Sequence, residues 1–347
     1  MTPTWLIALS LLAAPAATPP VVGGQGGCPG RVTVSETVMG TRGTISVCPV
    51  DATGGRVASA RDAAQRGLQE IARLEGLWST WLRDSDISRL NRAAGGEAVP
   101  VADETAAVLA RALTASRETG GIFDVTFAPL GEIWRFDTPP GSHQPTRLAQ
   151  VPSDADVAAR LARVGYAGLE VDLTARTARL ARPGMLVNLG GIGKGAAVDG
   201  AAALLRAQGF TNFAVQLGGD LYCAGANGER AWQVGVAHPR IKGDLLGVVA
   251  VRDAAFSTSG DYERFAIIEG RRYHHIMDLR TGWPATASQS ATVLARTAVD
   301  AEVLTKTAFI LGGAEGLALV ERAGAKAVIV TAAGEVLWSP GLSRLAR

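Results

Sequence analysis

Lysine and arginine never run longer than two in this chain, and the formal net charge over 347 residues is only +2. The sequence therefore lacks the basic tract that would point to nucleic acid or an anionic membrane surface. It also lacks the ~20 consecutive apolar residues needed to cross a bilayer. The four histidines and three cysteines do not fall at zinc-ligand spacing. Glycine is plentiful, at 42 residues, but follows no period, which removes collagen-like and solenoid architectures. What remains is an ordinary globular composition, 47% apolar and 19% charged, with chain enough for a sizeable core.

Met1–Thr4 is followed by an apolar stretch, Trp5–Ala14, and then by small residues and prolines. That stretch is too short to span a membrane and reads as the core of a secretory signal, with a cleavage region near Ala13–Ala17. No lysine or arginine precedes it, and Gln25-Gly26-Gly27-Cys28 lacks the leucine of a lipid-attachment site. Residues 1–27 are expected to be a signal peptide and short linker, and 31–345 the folded domain. Cys28 and Cys48 flank a hairpin read at 31–38 and 43–49, with Gly40 and Gly43 at its turn. An oxidising compartment would allow them to pair, and two separate thiols fit the sequence equally. Cys223 reads as a small buried side chain in an apolar strand.

Apolar residues at three- and four-residue steps predict helices over Arg56–Leu77, Asp103–Ser116, Asp154–Val164, Gly195–Gln208, Asp300–Leu311 and Ala314–Ala323. Alternation predicts strands at 168–173, 177–181, 185–189, 214–217, 232–237, 246–251, 264–268 and 273–277, and a last hairpin at 328–331 and 336–338. Phe136–Pro152 is rich in turn formers and reads as a surface loop. This order of elements argues for an α+β fold with mainly antiparallel sheets.

The most informative local segment is Val187-Asn188-Leu189-Gly190-Gly191-Ile192-Gly193-Lys194-Gly195, where a strand runs through glycines into a helix. Such a helix N-terminus suits phosphate, and Lys194 adds a full charge. The Walker pattern fails, because Asn188 stands at its first glycine and Gly195 at its hydroxyl. On local grounds a phosphate loop and a plain tight turn are equal. Two further clusters stand out, Ser257-Thr258-Ser259-Gly260-Asp261-Tyr262 and Tyr273-His274-His275-Ile276-Met277-Asp278. Adjacent strand histidines point to opposite faces, so at most one of this pair serves a given site.

Together these segments resemble the ApbE family of FAD:protein FMN transferases. The resemblance also rests on Val38-Met39-Gly40-Thr41, Trp78-Ser79-Thr80-Trp81, Ser85–Asn91, Thr119–Thr126, Gln216–Asp220 and Phe309–Gly312, all in order. It implies a T-fold-like α+β architecture in a single two-lobed domain. It implies FAD as substrate, with FMN passed through its phosphate to a Thr or Ser hydroxyl of a partner protein and AMP released. Export to the periplasm or the outer face of the cytoplasmic membrane, and association with that membrane, belong to the same expectation. By motif position Met39, Trp81, Ile122, Phe123, Asp124, Lys194, Thr258 and Ser259 would bind the flavin nucleotide. His275 would be the general base for the hydroxyl, since imidazole titrates near about 6.5. Asp261 and Asp278 would orient it or serve a metal shell, or else simply cap turns.

The resemblance places the family's usual magnesium ligands, a backbone carbonyl of the glycine turn and an Asp and a Thr four residues apart on a late helix, at Gly193, Glu302 and Lys306, so this chain departs from the pattern at 302 and 306. A charged lysine only donates and cannot ligate a metal. Magnesium is therefore in question: the Lys306 ammonium would take over part of its charge role at the pyrophosphate, or Glu302–Lys306 is a plain surface i, i+4 ion pair, with Asp300 as a fallback metal ligand. A non-catalytic exported flavin-binding protein and an FAD pyrophosphatase releasing FMN and AMP are the competing functions.

Overall fold

The structure, a computed structural model, describes residues 27–51, 53–136, 148, 150–342 and 344–345. The leader and most of the 136–152 loop lie outside the described residues. Eight antiparallel strands form the central sheet: β1 (Val32–Val38), β2 (Thr41–Val47), β3 (Phe213–Leu217), β4 (Asp220–Ala224), β5 (Ala254–Gly260), β6 (Ser288–Ala295), β7 (Lys326–Thr331) and β8 (Val336–Trp338). They stand side by side in chain order. The helices are α1 (Gly54–Trp78), α2 (Asp86–Arg92), α3 (Asp103–Glu118), α4 (Asp154–Leu161), α5 (Gly193–Ala207), α6 (Ala298–Leu311) and α7 (Gly313–Arg322). None of them is long and apolar enough to cross a membrane.

The central strands β3 and β4 are buried on both faces. Phe213, Val215, Tyr222, Ala224 and Ala255 join the core beneath α1, α5 and α6. Their alternating neighbours Ala214, Leu221, Cys223 and Phe256 join a second core on the other side. This is the period-two geometry of a strand. A smaller sheet carrying strands 232–237 and 245–251 closes that second core, where the fully buried Trp232 donates its indole N–H to the Ala224 carbonyl at 2.9 Å. Cys28 and Cys48 form a disulfide with Cα atoms 5.8 Å apart, which resolves the pairing that the sequence left open.

Several boundaries differ from the sequence expectations. The first hairpin turns at Met39 and Gly40, with φ of 50° and 66°, a two-residue turn that matches strand twist. Gly43 lies inside β2, where a Cβ would stand 2.8 Å from Val38 Cγ1 and 3.1 Å from Leu68 Cδ2. Residues 185–189 are not a strand. Leu186 makes one isolated bridge to Phe127, and Val187 is paired instead by the Asn91 side-chain amide, which donates to its carbonyl at 2.9 Å and accepts its N–H at 2.7 Å. Simple alternation missed β5 and β6, whose buried positions include Ser257, Ser259, Ser288, Ser290 and Thr292.

Candidate active site

A cleft of about 1080 Å³ opens where the start of α5, the inner end of β4, the end of β5 and the middle of α6 converge. Met39, Trp81, Gly193, Lys194, Thr258, Ser259, His275 and Lys306 all line it. These elements are far apart in sequence, and the sheet order brings them together.

Two lysines and two carboxylates form the floor. Lys194 Nζ lies 2.6 Å from Asp220 Oδ2 and 2.6 Å from Glu302 Oε1. Lys306 Nζ reaches the same Glu302 oxygen at 3.3 Å, and the Gly195 N–H donates to Glu302 Oε2 at 2.7 Å. Asp220 accepts the Ser257 hydroxyl at 2.6 Å. Glu302 is completely buried, so its pair with Lys306 belongs to the interior and not to a surface. Burial opposes charge on Lys194, Glu302 and Asp220, and pairing outweighs it on the first two. Burial works against the Lys194 ammonium, but Asp220 and Glu302 outweigh it and raise its pKa. Burial also opposes the Glu302 carboxylate, yet the two lysines hold it below the ordinary range. Asp220 is pushed up by burial and by the negative charge of Glu302. Glycines set the spacing. A Cβ on Gly195 would stand 2.5 Å from the Ala298 carbonyl oxygen, so α5 and α6 approach this closely only without a side chain there.

The two histidines separate, although not by strand alternation: the strand Arg271–His274 ends at the first, and His275 lies in the bend that follows, so the strand expected over 273–277 is broken there. His274 is buried, with Nε2 2.7 Å from the Ala285 carbonyl and Nδ1 accepting the Ile276 N–H at 3.2 Å. Its ring stands edge-on to Phe309 at 5.4 Å, which makes it structural. His275 is exposed to the cleft, with Nδ1 3.3 Å from the Arg264 carbonyl. A carbonyl only accepts, so Nδ1 carries the proton and Nε2 keeps a lone pair for a substrate. Its pKa is held below the ordinary histidine value by desolvation within the cleft walls, then by His274 and Arg264, with a smaller push from Lys306. The imidazole is therefore neutral at pH 7.

Other expected residues take different places. Ile122, Phe123 and Asp124 are absent from the cleft lining. Phe123 is buried beneath Gly191, and Ile122 packs against the main core. Asp124 accepts the Thr126 N–H and hydroxyl, both at 2.7 Å, and the Tyr166 N–H at 2.6 Å. It ties a loop beneath the site and does not face the cleft. Asp261 forms a two-pronged pair with Arg240 at 2.6 and 2.7 Å, and Asp278 pairs with Arg280 at 2.9 and 2.7 Å. Neither orients His275, which is held by a backbone carbonyl. Asp300 faces Arg111 at 2.8 Å, away from the cleft.

The donor set does not suit magnesium. Both Glu302 oxygens are engaged by donors, Lys306 can only donate, and Gly193 brings a neutral carbonyl. Among the described residues there is no group of three or more His, Cys, Asp or Glu able to hold a metal.

Sequence reasoning gave Asp220 no role, although it grips Lys194. The available signal was its place directly after Gly218-Gly219 at the start of a strand. Glu75 was also missed. Its carboxylate accepts the Met39 N–H at 2.8 Å and holds that residue in its left-handed conformation. Trp81, 92% exposed, stands at the rim with its ring open for stacking.

A large cleft with ammonium groups and a helix N-terminus in its floor, and a neutral imidazole in its wall, defines an α+β protein built for a phosphate-containing ligand. The sequence model of the ApbE family matches residues 39–329, and the chain belongs to that family. The FAD:protein FMN transferase of Escherichia coli K12 is 30% identical over 311 residues, covering 88% of this chain and 86% of that one. The transferase of Treponema pallidum is 33% identical, covering 86% and 84%. Among solved structures, the ApbE protein of Thermotoga maritima superposes with a TM-score of 0.78 at 28% identity, covering 89% of this chain and 97% of that one. The flavin transferase ApbE of Vibrio cholerae gives 0.76 at 27%, covering 90% and 98%.

Proposed function

We propose that this chain is an FAD:protein FMN transferase, cleaving FAD and joining FMN through its phosphate to a Thr or Ser hydroxyl of an acceptor protein. The observation that carries this reading is that one cleft holds both a neutral His275, with Nε2 available, and the lysine-rich floor at Lys194 and Lys306. Phosphoryl transfer asks a protein mainly for positioning and charge stabilisation. Lys194 and the start of α5 would face the phosphates, and Trp81 and Met39 would flank the rings. Thr258 and Ser259 line the wall above Lys194. His275 would take the hydroxyl proton as the oxygen attacks phosphorus and AMP leaves. Because the donor set disfavours magnesium, no step is assigned to it.

Export is part of the proposal. The apolar leader within residues 1–27 would direct the chain to the periplasm or the outer face of the cytoplasmic membrane, with the folded domain over 31–345. The Cys28–Cys48 disulfide supports an oxidising compartment. Association with the membrane would come through the acceptor.

Incubating the chain with FAD and a Thr-containing acceptor peptide, followed by mass measurement of peptide and nucleotide, tests the function. One FMN ester per peptide with equimolar AMP is expected. Free FMN with AMP and an unlabelled peptide would instead identify a pyrophosphatase, and intact FAD a carrier.

A further inference from the structure

We propose that the Lys306 ammonium holds the FAD pyrophosphate in the place of a divalent cation, so that this chain binds and cleaves FAD without a metal. The inference rests on the transferase reading for its chemistry. Its binding component stands apart and is tested separately.

Lys306 is positioned as a fixed cation. Its side chain is 21% exposed and lines the cleft. The stem lies along the glycine turn, where a Cβ on Gly191 would come within 3.4 Å of Lys306 Cδ and 3.6 Å of Cε. The head is drawn to Glu302 at 3.3 Å. An ammonium has three donors, so donors remain for the cleft. Lys306 is thus fixed at both ends, which a surface lysine is not, and holding it there for a phosphate sacrifices little further side-chain freedom.

The carboxylates point the same way. Glu302 spends one oxygen on two lysines and the other on the Gly195 N–H. Asp220 spends its pair on Lys194 and Ser257. A metal entering here would have to break these bonds and sit beside two ammonium groups. What the cluster has left for a pyrophosphate is donors: Lys306 Nζ makes a single bond of 3.3 Å within it.

In the reaction the acceptor oxygen bonds to the phosphorus of the FMN half, and the bond from that phosphorus to the bridging oxygen breaks. The hydroxyl proton passes to His275 Nε2, and AMP leaves with the bridging oxygen and its electron pair. Lys306 donates to the oxygens of the leaving phosphate as charge builds there.

The test uses the full chain stripped of metal. FAD affinity is measured by calorimetry in EDTA and in millimolar magnesium, and transfer to a Thr-bearing peptide is followed by mass in both buffers. Affinity and rate should agree within about threefold between the two. Lys306→Met should weaken FAD binding about tenfold or more in either buffer, the loss of a charge-assisted hydrogen bond. Lys306→Thr offers an oxygen and removes one of the two ammonium groups beside Glu302, so magnesium should restore FAD binding in that variant. A tenfold or greater fall in wild-type affinity under EDTA overturns the proposal, and so does full FAD affinity in a folded Lys306→Met protein. The wild-type comparison needs no variant to fold. Metal-independent FAD binding with no transfer to any acceptor would defeat the transferase reading, yet would support Lys306 at the phosphates.

Discussion

Alanine at Gly195 and alanine at Gly200 are the same substitution in one helix, and their effects should have opposite signs. At Gly195 a Cβ would stand 2.5 Å from the oxygen and 2.7 Å from the carbon of the Ala298 carbonyl, and 2.9 Å from Val299 Cα. These are backbone atoms of α6 and cannot rotate away. Restoring ordinary carbon contacts of about 3.5 Å requires the helices to part by up to roughly 1 Å. Overpacking of this kind costs about 1–3 kcal/mol, against a gain of up to about 1 kcal/mol for replacing a helical glycine. Because the opposing atoms are rigid backbone, the upper end of that cost applies, and the net loss is about 2 kcal/mol. Unfolding entropy of about 2.1 cal/mol/K per residue, over roughly 315 residues, converts each kcal/mol to about 1.5 °C. Gly195→Ala should therefore melt about 3 °C lower. At Gly200 the nearest atom is Leu74 Cδ1 at 3.5 Å, an ordinary contact, so Gly200→Ala should melt about 1 °C higher. The ligand effect should be larger than the thermal one. Parting α5 from α6 separates the Gly195 N–H and Lys194 from Glu302, and FAD affinity should fall about tenfold in Gly195→Ala while Gly200→Ala keeps it. Calorimetry and a melting curve on both variants decide the matter. Shifts of the same sign, or full FAD affinity in Gly195→Ala, would refute the reasoning.

His275 has a lowered pKa, and a base acts only when neutral. Activity should hold as pH falls through about 6.5 and drop only below it. His275→Ala should reduce transfer by about 10²–10⁴-fold with FAD binding retained, read from a pH–rate profile and a binding curve. Asp199 accepts the N–H groups of Ala298 and Val299 at 2.9 and 3.0 Å, yet burial, aided by Asp300, pushes its pKa up to about 6 from an ordinary 3.8. A raised carboxyl pKa contributes stability that is complete below the unfolded value and lost as pH rises through the folded one. Stability should therefore decline between about pH 4 and 6, by at most about 3 kcal/mol before solvent screening, seen as a falling melting temperature, and Asp199→Asn should flatten that decline. Removing the Cys28–Cys48 bridge, which spans 20 residues, by double serine substitution should cost about 3 kcal/mol, or about 5 °C in a melting scan.

Six of the seven described helices were legible from apolar residues at three- and four-residue steps, as where Ala60, Ala64, Leu68, Ile71 and Leu74 of α1 reach the core, while the seven-residue α2 is too short to show that period. The inner strands were less so. Ser257, Thr258 and Thr292 look like loop residues, but their hydroxyls are satisfied inside the sheet by Asp220 and by each other. Alternation of apolar and polar residues fails where a strand borders a polar cleft. The run from Met185 to Leu189 misled in the reverse direction, since a lone asparagine side chain supplies the pairing that a strand would have. Within the site, Lys194, Lys306 and His275 could be named from motif positions. Which partner holds each of them depended on contacts distant in sequence, and so did the inward-facing role of Asp124.

The ammonium and carboxylate groups of the floor explain each other. Lys194 and Lys306 carry two positive charges, and Asp220 and Glu302 two negative ones, all within a single bonded cluster. Removing one member of such a buried set leaves an uncompensated charge, at about 3–5 kcal/mol. A lysine at 306 is tolerable because Glu302 receives it. Glu302 is tolerable beside Asp220 because both lysines and the Gly195 N–H surround it. The departures at positions 302 and 306 are therefore one change in two residues. If Lys306 holds the pyrophosphate as proposed, the pair supplies from within the chain the contact that an external cation would otherwise make.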